Sequence, residues 1–190
     1  MTDLGQRVDA FGRPVPEPGP PQAPQSLLVA RWLWIGSVLI GVVQAFIQLL
    51  DRSRLIEELR ALDPNMGQME LDAAANSMIM FAFLLKALVL MVYLMLTRRM
   101  LEGRNWSRVV LTVFGGFGVF NALITLLGVA VFGIALINEI TPVTITRVDV
   151  VFTALVAVVE AAAIVFMYRP DGNRFIREMG PRLRQGRVAR

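Results

Sequence analysis

The chain has 190 residues, 55% of them hydrophobic, with a mean hydropathy of +0.58 and a formal net charge of +4. Soluble domains are about 45–50% apolar, and here the charges also stand in blocks between long apolar runs instead of alternating at helix or strand period. The chain has no Cys and no His, which excludes thiol nucleophiles, disulfides, thiolate and imidazole metal sites and an imidazole proton shuttle.

The predicted class is therefore all-α: a polytopic integral membrane protein built as a four-transmembrane-helix bundle. No metal and no cofactor is expected. Residues 1–26 are polar, and Pro14, Pro16, Pro18, Pro20, Pro21 and Pro24 block helix and sheet alike, so this stretch reads as a disordered Pro-rich cytoplasmic tail. It has no apolar core of the kind a signal peptide needs.

The transmembrane domain is expected over residues 27–168. The first apolar run, Leu27 to Leu50, is interrupted only by Arg31, Ser37, Gln44 and Gln48. Its length at 1.5 Å per residue exceeds a hydrocarbon core of about 30 Å. Trp32 and Trp34 beside Arg31 read as interfacial anchors. An extracytoplasmic segment, 51–72, follows. Leu55, Ile56, Leu59 and Leu62 repeat there at helical spacing, which predicts a short amphipathic helix ended by Asp63-Pro64-Asn65.

The second span is predicted from Asn76 to Leu96, with a basic stop at Arg98 and Arg99. A third apolar stretch, Val109 to Ile137, is long enough to cross with tilt or to cross and then bend at one of its glycines. The fourth span is predicted from Val150 to Tyr168, and residues 169–190 form a basic cytoplasmic tail broken at Gly180-Pro181. With the N-tail, the Arg98 loop and the C-tail on one side, that side holds 14 arginines against 4 on the other. Such an excess places both termini in the cytoplasm and the protein in the cell inner (plasma) membrane.

Three polar residues fall inside spans. Lys86 is the only lysine in the chain, and Glu160 and Asn121 lie in the fourth and third apolar runs. Counted from the basic stops at helical rise, they sit roughly 18, 14 and 20 Å above the inner interface. A candidate intramembrane cluster of Lys86, Asn121 and Glu160 follows, either as a proton or ion site or as a pair that only fixes helix register. Arg98, Arg99, Arg104, Arg108 and Arg169 are candidate contacts for anionic lipid headgroups. Nucleic acid is not an expected partner, because a ring of arginine beside a span is an ordinary topology signal. The small residues Ser37 and Gly41, Gly118 and Ala122, and Ala157 and Ala161 read as helix-packing seams.

The stretches Gly103-Arg104-Asn105-Trp106-Ser107-Arg108-Val109-Val110-Leu111-Thr112 and Tyr168-Arg169-Pro170-Asp171-Gly172-Asn173-Arg174-Phe175 are similar to a loop and a post-helix tail of small uncharacterised four-helix membrane proteins of actinobacteria. The resemblance covers residues 30–178 in layout. It implies a four-helix fold and brings no catalytic residues. No enzyme activity is expected, since the cytoplasmic loops offer mostly Arg with Glu102, Asp171 and Glu178. The expected role is a non-catalytic accessory or interaction subunit whose partners are the bilayer and a membrane protein or further copies of itself. The alternative is a small oligomeric transporter or channel subunit working through Lys86 and Glu160.

Overall fold

A computed structural model describes residues 21–50, 52–141 and 145–188. The Pro-rich stretch up to residue 20 lies outside them. Among the described residues six helices follow in order: α1 (Gln25–Leu50), α2 (Arg52–Leu62), α3 (Gln68–Leu101), α4 (Asn105–Ile140), α5 (Arg147–Met167) and α6 (Pro170–Val188). Four of them, α1, α3, α4 and α5, are long and apolar enough to cross a membrane, so the chain is a multi-pass, all-helical membrane protein.

The four spans form a ring in which α1 and α4 each pack against both α3 and α5. Neighbours are antiparallel, because α3 and α4 are joined by a tight turn and the last turns of α1 bond the first turn of α5. The α3–α4 turn is built at Gly103, whose φ of 80° belongs to the left-handed region that favours glycine. There the Gly103 N–H donates to Met100 O at 3.0 Å and the Arg104 N–H donates to Arg99 O at 3.2 Å, closing the end of α3.

The spanning helices outrun the apolar stretches that mark them in the sequence, α3 and α4 most of all. The second span was expected from Asn76, whereas α3 begins at Gln68. Glu70 accepts the Gly67 N–H at 3.1 Å and so satisfies one of the exposed donors at the helix start. The amphipathic helix α2 stops at Leu62, before Asp63-Pro64, and folds back on α3. In α4 the helix bends at Gly133, where φ is 74° and ψ is 160°. At that position a side chain would be strained whatever the space around it.

The largest correction is at the C-terminus. Residues 169–190 were expected as a tail broken at Gly180-Pro181, but α6 runs from Pro170 through both residues to Val188. Pro170 suits the first helical position, where its missing N–H leaves nothing unbonded. Beside it, the neighbouring Ser26 hydroxyl, the Gly172 N–H and the Arg169 charge hold the Asp171 carboxyl below its usual range. Phe175 is 5% exposed, and with Ile176 and Met179 it lays one face of α6 on the bundle.

The packed core lies in the half of the bundle that carries the arginines. Leu27, Ala30 and Trp34 of α1 meet Leu96 and Met100 of α3, Leu111 of α4, Ala163 and Met167 of α5, and Phe175 of α6. Trp34 was expected at the interface beside Trp32. Two residues apart on a helix means nearly opposite faces, and the structure separates them: Trp32 is 68% exposed and Trp34 is fully buried.

Trp34 reaches across the ring to Gly115 of α4, where any added Cβ would strike the far edge of the indole. Its ring also lies 5.7 Å from that of Tyr93 on α3. The adjacent Gly116 faces open space.

At the opposite end, Asp149 ties α5 to α1. Its Oδ2 accepts the Thr146 N–H at 2.9 Å and the Thr146 hydroxyl at 2.7 Å, while Oδ1 accepts from Gln48 Nε2 at 2.6 Å and from Gln44 Nε2 at 3.3 Å. The two glutamines that interrupt the first apolar run thus serve one carboxylate, one helical turn apart. Asn138 fixes the neighbouring connection, donating to Ile145 O at 3.1 Å and accepting its N–H at 2.7 Å.

Asp149 therefore both caps α5 and latches it. We expect Asp149→Ala to cost about 2 kcal/mol in detergent-solubilised protein, from the lost cap and the hydrogen bonds to a charged group. Gln44→Ala, which removes only the longer bond, is expected to cost less than half of that. Thermal unfolding monitored by size-exclusion chromatography checks the order. Equal effects would show that the latch is not centred on the carboxylate.

Candidate functional site

Two polar sites are built on this frame, one inside the bundle and one at its basic end. Inside, α5 presents Glu160 to α4 at Gly118, where an added Cβ would lie 2.5 Å from the carboxylate Oε2. The glycine thus gives the carboxylate its room, and two glycines of the Gly115-Gly116-Phe117-Gly118 run, Gly115 and Gly118, each receive a side chain from another helix. Tyr93 of α3 packs on Trp34.

The three polar residues singled out in the spans are not joined. Among the described residues Glu160 forms no ion pair, and neither does Lys86. Lys86 is nevertheless on the bundle-facing stripe of α3. Ala75, Ile79, Ala82, Lys86, Tyr93, Thr97 and Met100 recur at steps of three, four or seven, and none of them is fully exposed. Tyr93 follows Lys86 by two turns, about 10 Å along the helix. Asn121 points elsewhere altogether, being exposed on α4, and its side-chain amide makes no hydrogen bond among the described residues.

At the basic end the candidate headgroup contacts divide. Arg98 and Arg169 are exposed, and Arg169 stacks over Phe166 with its guanidinium carbon 4.7 Å from the ring centroid. Arg99 and Arg104 are partly buried, and Arg104 pairs with Glu102 at 3.4 Å. Arg108 departs from the expectation. It is 3% exposed, donates from Nη2 to Asn173 Oδ1 at 2.6 Å, and lies with its guanidinium carbon 3.9 Å from the centroid of the Tyr168 ring.

Arg108 is thus committed to protein, its guanidinium held between the Asn173 amide oxygen and the Tyr168 ring. The Thr112 hydroxyl and the Tyr168 hydroxyl lie 3.1 Å apart, and Asn173 Nδ2 donates to Tyr168 O at 3.0 Å. These bonds join the start of α4 to the α5–α6 turn and the start of α6. No family model, curated protein or solved structure matches this chain. The site is therefore read from its geometry alone.

The two stretches with a recognisable pattern in the sequence, 103–112 and 168–175, are the two halves of this latch. Sequence spacing could not show it, since Arg108 and Asn173 are 65 residues apart. Gly103 belongs to the same assembly, because Met179 of α6 rests on it: an added Cβ would lie 2.5 Å from Met179 Cβ. Outside the latch, a groove of ≈ 590 Å³ runs along α6 between Pro170, Asn173, Arg174, Arg177 and Glu178. There Arg174 is already paired with Glu178 at 3.0 Å.

The latch predicts a local opening. Arg108→Gln keeps a donor but loses the charge, the ring contact and the reach, so α6 is expected to lift from the bundle. Limited trypsin digestion in micelles should then cut at Arg174 and Arg177 at least several times faster, with the spans still intact. Arg104→Gln, which removes only a half-exposed pair worth about 0–1 kcal/mol, is expected to leave the rate unchanged. Unaltered cleavage in Arg108→Gln would show that α6 is held by its apolar face alone.

Proposed function

We propose that the protein is a non-catalytic accessory or interaction subunit of the cell inner membrane. In this reading both termini are cytoplasmic, and the basic end is the surface presented to anionic headgroups and to a membrane-protein partner. The observation that carries it is Trp34, fully buried across the axis of the basic half of the bundle and seated on Gly115. Leu27, Met100, Leu111 and Met167 around it are fully buried as well, and Phe175 of α6 closes them off from below. A single chain packed in this way offers no aqueous path along its axis at that end.

What the basic end does offer is a fixed platform. The start of α4 and α6 are bonded to each other through Arg108 and Asn173, with Arg98, Arg169 and Arg177 exposed around them. Each exposed arginine near an anionic leaflet contributes about 1 kcal/mol of attraction. The excess of 14 arginines over 4 supports the orientation that puts this end in the cytoplasm.

A second reading, a small transporter subunit, is favoured by Glu160. Its carboxylate lies between spans beside Gly118 without an ion pair among the described residues, and Tyr93 and Lys86 share the bundle-facing stripe of α3. Intramembrane carboxylates mark ion and proton routes in many membrane proteins. Reconstitution into sealed vesicles with a pH-sensitive dye inside separates the readings. The accessory reading predicts proton permeability equal to that of empty vesicles for the wild type and for Glu160→Gln, with the variant retaining its cellular function. A proton flux in the wild type that Glu160→Gln abolishes would overturn it in favour of transport.

A further inference from the structure

Asn121 is a mid-span polar residue that, among the described residues, neither bundle nor latch employs. It sits 13 residues beyond Arg108, about 20 Å along α4, and 12 residues before the bend at Gly133. Both interfaces are therefore out of reach of a side chain with one methylene, which cannot snorkel as a lysine can. Its amide has two N–H donors and a carbonyl acceptor, and none of them is hydrogen-bonded among the described residues. In hydrocarbon there is no water to bond them, so such a group favours any arrangement that supplies a partner.

The face around Asn121 has a pattern of its own. Phe117, Asn121, Ile124, Gly128 and Val131 follow at steps of four, three, four and three, the spacing of a helix-pairing seam. Phe117 is 71%, Ile124 54% and Val131 71% exposed. Gly128, two turns from Asn121, adds no side chain of its own to the seam and is partly covered by Ile137 of the same helix at 3.8 Å. The seam ends just before the bend at Gly133 and therefore lies on straight helix throughout.

We propose that a second copy of this chain covers this seam, pairing the two α4 helices through Asn121. The occupant follows from symmetry. Copies that share one orientation in the membrane relate by a two-fold axis along its normal, so their α4 helices run parallel and each residue on the axis meets itself at the same depth. An amide is self-complementary in that position: each Asn121 Nδ2 donates to the other Oδ1. A lipid chain offers neither donor nor acceptor. A single asparagine in an otherwise apolar seam also sets the register of the pair. The proposal does not depend on whether Glu160 is structural or transporting, because Glu160 faces α5's contact with α4 on another side.

The absence of native Cys makes the test direct. Single cysteines are placed at Ile124 and, as a control, at Phe81 of α3, which is 68% exposed to the same hydrocarbon. In vesicles reconstituted from purified protein, copper-phenanthroline oxidation is expected to give a dimer with Ile124→Cys and none with Phe81→Cys. Energy transfer between labelled copies is expected to show association about tenfold weaker in Asn121→Leu and nearly retained in Asn121→Gln. Asn121 is exposed, so the Leu variant should keep the wild-type thermal stability of the monomer. Three results would each overturn the proposal: no dimer, equal cross-linking at both positions, or association indifferent to Asn121→Leu. Cross-linking of Ile124→Cys in native membranes only to a protein of different mass would also overturn it, assigning the seam to another partner.

Discussion

The contact between Trp34 and Gly115 is the interaction on which the other arrangements depend. In a bilayer the lipid chains are as apolar as leucine, so helices are not driven together by burial from water but by close fit and by hydrogen bonds. Trp34 supplies the fit. It fills the space enclosed by four helices, touches the diagonal helix where there is no side chain, and brings Tyr93 against its ring. Remove the glycine and the indole has nowhere to go; remove the indole and the four helices surround a void.

From that centre the polar groups fall into place by necessity. At the far end, Gln44, Gln48 and Asp149 satisfy one another across α1 and α5. At the basic end Arg108, Asn173, Tyr168 and Thr112 do so across α4, the α5–α6 turn and α6. Between the two latches stands Glu160, given room by Gly118. The glycines of α4 thus divide the labour: Gly115 admits an aromatic ring, Gly118 a carboxylate, and Gly133 a bend.

The four spans were legible in the sequence because hydrocarbon imposes a length and a composition that few other contexts require, and the helix over 52–62 was legible from its period. What escaped was everything set by the direction of a side chain. Trp34 read as an interfacial anchor because it stands beside Arg31, yet the two-residue offset from Trp32 already turned it inward. Arg108 read as one more headgroup contact because charge counts do not distinguish a buried cation from an exposed one. Lys86 and Glu160 matched in depth, but depth fixes only one coordinate, and among the described residues neither forms an ion pair. The helix α6 was missed because Gly180-Pro181 reads as a break, while the apolar triplet Phe175, Ile176 and Met179 was there to reveal a docked face.

The most direct test of a bundle organised around one side chain is to exchange the volumes of its two partners. Trp34→Ala leaves a cavity and Gly115→Leu overfills the same space, so each change alone should lower the unfolding temperature in detergent sharply, with costs of about 3–5 and 1–3 kcal/mol. If the indole truly occupies the seat made by Gly115, the double variant returns bulk to the same space from the opposite helix and is more stable than Trp34→Ala alone. Strictly additive losses in the double variant would mean that the two residues do not share a space, and would contradict the account of how the four helices are held.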